Sequence, residues 1–241
     1  MKHIFLLTLV AFISIATFAQ STSTSGTNSM ADRSKKTLNK RTDQIVVNLN
    51  FENWIHNQNN GFKTQWYSRG LDVCFMYDLV IKKSFVSFAP GIGFSTHNVY
   101  HNSLMVEDST GLKFQPIDNF SETFKKSKIT INYLEIPLEL RFRTKPLAAD
   151  MRFKVAVGFK FGLRVDAYTK TKRNDLSVDG SYRKYVEKGY KDFNLVRMGP
   201  TLRIGYGPFN LCAFYNVLNV FKKDRGPVAT TWSAGISING L

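Results

Sequence analysis

Beyond Phe18 the sequence has no apolar run long enough for a transmembrane helix, which needs about 20 residues. Helical periodicity is equally scarce after that point. Only two cysteines occur, Cys74 and Cys212, too few for a disulfide framework, so both are expected as free thiols. There is no phosphate-cradling glycine loop, no Cys-x-x-Cys pair and no nucleotide fingerprint, and neither cofactor nor metal is expected. Acidic residues are also short: 18 Asp and Glu stand against 33 Lys and Arg, for a net charge of +15. Such a balance ordinarily suggests nucleic acid. The start of the chain argues for a different setting.

MKHIFLLTLVAFISIATFAQ places Lys2 before an apolar run from Ile4 to Phe18, followed by small residues. This is the anatomy of a secretory signal peptide, with cleavage expected after Ala19. Export makes nucleic acid an improbable partner. Residues 20–43, with Arg33, Lys35, Lys36, Lys40 and Arg41 among Ser and Thr, have little to bury and read as a flexible, basic periplasmic linker. The remaining span, 44–241, is expected to be one β-domain.

From Gln44 onward the hydrophobic period is two. In DMRFKVAVGFKFGLRVD (150–166), Phe153, Val155, Val157, Phe159, Phe161, Leu163 and Val165 alternate with charged or small residues. The same pattern gives seven more strands, at about 45–53, 70–81, 85–95, 128–143, 193–206, 208–218 and 229–240. Their connections alternate long and short. Tight turns at one end and long loops at the other are the signature of a transmembrane barrel. The fold class expected is therefore all-β: an eight-stranded antiparallel up-and-down barrel, monomeric, in the outer membrane. Several strands reach the ~9–11 residues that spanning requires.

One face of each strand would then meet lipid and the other the lumen. Eight strands leave an interior that side chains fill. Asp72, Asp78, Glu135, Glu139, Arg141, Arg143, Arg152, Lys154, Lys160, Arg164, Arg197 and Arg203 all fall on the inward phase and must neutralise one another. Glu135 and Glu139 are expected to pair with Arg141, Arg143, Arg152 or Lys154, and Asp72 and Asp78 with Arg197 or Arg203. Such a network reads as a plug rather than a conduit. Pro90, Pro137 and Pro200 lie within strands, where bulges are expected, with help from Gly91 and Gly199.

The stretch Tyr133-Leu134-Glu135-Ile136-Pro137-Leu138 resembles the most recognisable motif of the PorT-like outer-membrane β-barrel family of Bacteroidota. FNLCAFYNVLNVFKKDRGPVATTWSAGISI is similar to that family's closing hairpin. The resemblance implies an eight-stranded outer-membrane barrel. It also implies, for some members, an accessory part in protein secretion by the type IX system. No catalytic residue comes with it.

Two further sets are candidates for chemistry. His97 and His101 lie near Ser95, Ser103, Glu107 and Asp108, in what reads as the second long loop; these are the residue types of a hydrolytic triad without its geometry. The third long loop interleaves Lys170, Lys172, Arg173, Arg183, Lys184 and Lys188 with Tyr182, Tyr185 and Tyr190. A hairpin signal at Asp179-Gly180 suggests a ribbon projecting from the barrel. Its charge suits lipopolysaccharide or another acidic surface or secretion partner. A non-enzymatic structural or binding role is expected, with a lipid-modifying enzyme as the rival.

Overall fold

The computed structural model describes residues 43–57, 62–81, 85–108, 111–116, 124–144, 153–174, 182–188 and 192–239. The expected signal peptide, the expected linker up to residue 42, Arg152 and Tyr190 lie outside the described residues. For Arg173, Tyr182, Arg183, Lys184 and Lys188 the backbone alone is described.

Among the described residues alternation produces twelve strands: β1 (Asp43–His56), β2 (Arg69–Tyr77), β3 (Leu79–Val80), β4 (Val86–His101), β5 (Ser103–Asp108), β6 (Gly111–Pro116), β7 (Phe124–Arg143), β8 (Phe153–Asn174), β9 (Tyr182–Lys188), β10 (Val196–Tyr206), β11 (Phe209–Tyr215) and β12 (Ala229–Asn239). Eight of them form a closed antiparallel ring in the order β1-β2-β4-β7-β8-β10-β11-β12, with β12 pairing back to β1. The others are accessories: β3 continues β2 along β4, β9 extends β8, and β5–β6 is a separate hairpin. Closure leaves no exposed sheet edge in the ring. Between β10 and β11 the turn is two residues long, with Gly207 at φ 58°, a left-handed conformation that such turns require.

The wall has two storeys. In the lower one, nearest the short turns, outward residues are apolar and inward residues mostly polar, with a small apolar cluster of Val46, Cys74, Met76 and Ala89 among them. On β7, Leu134, Ile136, Leu140 and Phe142 are exposed while Glu135, Glu139 and Arg141 are buried. Above Tyr133 the chemistry changes sides without a change of phase: Ile129, Ile131 and Tyr133 are buried, and Lys128 and Asn132 face out. β4 switches at the same level, from outward Ile92 and Phe94 to inward His97, Val99 and His101. The sequence pattern predicts a strand ending at Ser95 and a loop from His97; the strand in fact runs to His101. Period two persisted while its apolar side moved inward.

The upper storey is filled as a water-soluble core would be. Trp54, Phe62, Val99, Leu112, Phe114, Ile129, Ile131, Phe193, Val220 and Phe221 form one buried cluster. Phe62 packs on Phe114 with ring centroids 4.3 Å apart, and Trp54 meets Phe221 edge-on at 5.8 Å. The long connections thus fold back over the open end, with β6 supplying Leu112 and Phe114.

The prolines correct an expectation. Register runs unshifted past Pro90, Pro137 and Pro200, so none marks a bulge. Instead the β4–β7 ladder skips Gly91 and Ile92, and the bare Gly91 leaves room for the Pro137 ring, which would lie 3.2 Å from an added Cβ. A missing N–H costs one ladder bond at each site, and the long neighbouring ladders hold the register. The bulges lie higher, on β7–β8. There Tyr133 pairs with Arg164 and Asn132 with Asp166, leaving Val165 unpaired.

Candidate functional site

Inward charges form a connected column through the lower storey. At the turn end, Asp78 receives Arg143 and lies 3.8 Å from Arg141. Arg141 donates to Glu139 (3.1 Å) and to Gln44 (2.8 Å). Arg203 reaches the same Glu139 at 3.0 Å. In the middle, Lys160 Nζ lies between Glu135 (2.9 Å) and Asp72 (3.2 Å), and Asn50 also donates to Asp72. Above it, Arg197 stands 4.0 Å from Glu135, contacts His97 and lies over the rings of Phe214 and Tyr133. Most of these groups are buried: Asp72, Asp78, Glu135, Glu139, Arg141, Lys160, Arg197 and Arg203. Opposite charges must therefore meet, because isolated charges could not stay ionised there.

Glu139 pairs with Arg141 as expected, whereas the other partners differ, for reasons of height. Register sets Pro137 opposite Lys160 and Glu135 opposite Gly162, so the lysine arm rises to Glu135 and crosses to Asp72. Asp78 lies past the end of β2, level with Arg143, and meets neither Arg197 nor Arg203. Lys154 donates instead to the Gly207 carbonyl in the β10–β11 turn, at 2.9 Å. Arg164 is half-buried at the top of the column.

One member, Glu52, is not anticipated by the sequence, and His97 joins the column from a strand rather than a loop. Glu52 accepts from His97 Nδ1 at 2.7 Å, and Ser95 Oγ lies 3.0 Å from His97 Nε2. A serine, a histidine and an acid are thus in line. Arg197 contacts the same Nε2 that faces Ser95, so the guanidinium and the hydroxyl compete for that nitrogen. Ser95 is 0% exposed, and a cavity elsewhere in the lumen measures about 30 Å³, room for a water molecule. Asp72, Cys74, Glu139, Lys160 and Cys212 line that cavity; both cysteines are free. His101 is not beside His97 in function either. It is buried in the aromatic cap, 5.7 Å from the rings of Phe62 and Phe114. The side chains of Glu107 and Asp108 lie outside the described residues.

The third long connection is a ribbon. β9 pairs with the upper part of β8 from Tyr168↔Lys188 to Asn174↔Tyr182, and β7 flanks β8 on its other side. Lys172 lies opposite both Lys184 and Lys126, Arg173 opposite Arg183, and Lys170 opposite Lys128. Tyr185 and Lys172 are exposed.

A closed ring with an apolar belt outside and charges inside is matched by a family description. The family model for an outer membrane protein beta-barrel domain covers residues 18–220. The chain belongs to that family. In an outer membrane beta-barrel the exposed belt, which includes Leu49, Phe51, Phe75, Ile92, Phe161 and Ile236, faces lipid, and the long connections lie on the cell surface. Soluble monomers rarely expose contiguous apolar patches beyond about 300–600 Å², and this belt surrounds the barrel. The match ends at Val220, before the closing strand β12 of this outer membrane beta-barrel. A search of curated proteins finds no match. Among solved structures, the chain is similar to Ail, the attachment invasion locus protein of Yersinia pestis, in complex with the heparin analogue sucrose octasulfate. Identity is 14%, the TM-score is 0.31, and the alignment covers 82% of this chain and 97% of that one. A likeness at that level carries no functional information.

Proposed function

We propose that this protein is a non-conducting, non-enzymatic outer-membrane barrel that presents its β8–β9 ribbon to an anionic polymer at the cell surface. The observation that carries the reading is the register of the ribbon. Like charges placed directly opposite across a sheet destabilise it, yet Lys126, Lys172 and Lys184 stand in one row, and Arg173 faces Arg183 in the next. A ribbon built this way gains stability when a polyanion neutralises it. The lumen supports the rest of the reading. Its charges are paired, its one serine–histidine–acid alignment is sealed, and an aromatic cap closes the loop end.

The test is binding of dextran sulfate to the refolded protein in detergent. Lys172→Gln, Arg173→Gln and Lys184→Gln together should weaken binding at least tenfold and flatten its salt dependence. Unchanged binding by the triple variant would refute the ribbon as the site. Conductance in planar bilayers checks the closed lumen; a stable, large open state would contradict it.

A part in protein secretion, in an organism of the Bacteroidota, draws its support from the Tyr133–Leu138 motif and its PorT-like resemblance. Exported proteins held in the periplasm of a deletion strain would favour that role over surface binding.

A further inference from the structure

Where four neighbouring strands rise out of the apolar belt, register aligns their outward residues into two level rows. In the lower row Arg69 pairs with Asn98, Asn98 with Thr130, which its neighbours bury, and Thr130 with Tyr168. In the upper row Tyr100 pairs with Lys128 and Lys128 with Lys170, while Tyr67 stacks on Tyr100 with ring centroids 4.9 Å apart. These side chains are held in place by one another. Lys128 donates to Asn98 (2.8 Å), as does Thr130 (3.0 Å), and Lys128 lies 5.6 Å over the Tyr100 ring. Lys170 donates to the Tyr168 hydroxyl (3.3 Å) and lies 4.3 Å over its ring. Trp66, 81% exposed, meets Tyr67 edge-on at the end of the upper row.

The height of these rows decides what they meet. Phe94 and Leu134 pair with each other and are the last exposed apolar residues on β4 and β7. Asn98 and Thr130 lie four residues further on. At about 3.3 Å per residue, with strands tilted near 40°, that is roughly 10 Å above the hydrocarbon edge. Head groups begin at that edge and reach about 5–8 Å beyond it, and the sugars of a glycolipid reach farther. Lys128 and Lys170 leave their strands higher, about 15 Å above that edge, and Lys128 Nζ reaches down to Asn98 in the lower row, so it is the sugar-extended head group of a lipid seated along Phe94, Leu134 and Leu163 that meets Arg69, Lys128 and Lys170. Two lysines on adjacent strands can hold one phosphate between them, and the tyrosine and tryptophan faces suit sugar rings. One acid, Asp166, sits in the intervening row, opposite Asn132.

We propose that this rim is a binding site for a phosphorylated glycolipid of the outer leaflet, reaching the base of the β8–β9 ribbon at Tyr168 and Lys170 but distinct from Lys172, Arg173 and Lys184 farther along it. The acyl belt directly below identifies the lipid, rather than a free phosphate or polysaccharide, as the source of the anion.

Native mass spectrometry tests it on the full refolded chain, with bis-phosphorylated lipid A in mixed dodecylmaltoside micelles as the probe. The wild-type protein should retain lipid A. Lys128→Gln with Lys170→Gln should lose it roughly twenty-five-fold, since each lysine near an anionic surface is worth about a fivefold factor. Lys128→Arg with Lys170→Arg should keep it, which separates lost charge from lost folding. Dephosphorylated lipid A should bind the wild type as weakly as lipid A binds the double glutamine variant. The triple ribbon variant should retain lipid A, so failure of the ribbon and failure of the rim are distinguishable. Equal retention by wild type and the glutamine variant would overturn the site. Displacement of lipid A by an equal concentration of inorganic phosphate would overturn the assignment to a lipid.

Discussion

The Lys160 ammonium on β8 lies 2.9 Å from the Glu135 carboxylate on β7, and its far side faces Asp72 on β2. This one cation joins three strands across the lumen. Removing it would leave two buried carboxylates close together. Lys160→Met should destabilise the barrel by about 3–5 kcal/mol, the cost of breaking a buried pair. Adding Asp72→Asn and Glu135→Gln should recover much of the loss. Urea denaturation in detergent, followed by heat-modifiable migration on gels, reads both. An unchanged midpoint for Lys160→Met would mean that the column is solvated rather than paired.

Glycines on the inward face are unequal. A Cβ on Gly199 would run into the Tyr215 carbonyl oxygen, whereas at Gly162 the nearest atom would be Tyr133 Cδ1 at 3.5 Å. Gly199→Ala should therefore force β10 and β11 apart and cost about 2 kcal/mol or more, while Gly162→Ala should be nearly neutral. The same denaturation midpoints decide it. Equal effects would contradict the close approach at Gly199.

His101 makes the extracellular storey sensitive to acid. It sits above the belt, and burial among the cap rings pulls it down from 6.5 to about 4, against a smaller opposing effect of the Ser103 amide. A histidine depressed in this way favours the folded state while neutral. Its contribution is full above pH 6.5 and is lost as pH falls toward 4. Amide exchange in β5 and β6 should therefore accelerate between about pH 6.5 and pH 4, after correction for intrinsic rates, with the belt strands unaffected. His101→Gln should abolish the pH dependence. A cap whose protection is flat across that range would show that His101 is not buried neutral.

Much of this architecture can be read from period-two patterning. Leu71 to Ile81 and Leu134 to Phe142 announce outward faces, and the alternating connections announce which end carries the loops. The limits were physical. His97 was assigned to a loop because the apolar side of β4 moves inward above Phe94, and a reading that follows one apolar face stops where that face crosses over. Ser95, His97 and His101 share one parity, which is the signal that could have extended the strand. Pairings across the lumen were out of reach for another reason. Lys160 and Asp72 are 88 residues apart, and their meeting depends on register and height summed over four strands. Prolines predict bulges because a missing donor interrupts the ladder, but the long ladders on either side absorb the loss without a register shift.

The account rests on the crossover between storeys, and spin labels test it directly. Cysteine-attached labels at Leu134 and Leu163, in a Cys74→Ala/Cys212→Ala background reconstituted in liposomes, should be accessible to oxygen and shielded from a water-soluble nickel reagent. Labels at Asn132 and Tyr168, outward on the same two strands but above the crossover, should show the reverse. Nickel accessibility at all four positions would contradict the account, because Leu134 and Leu163 would then face water.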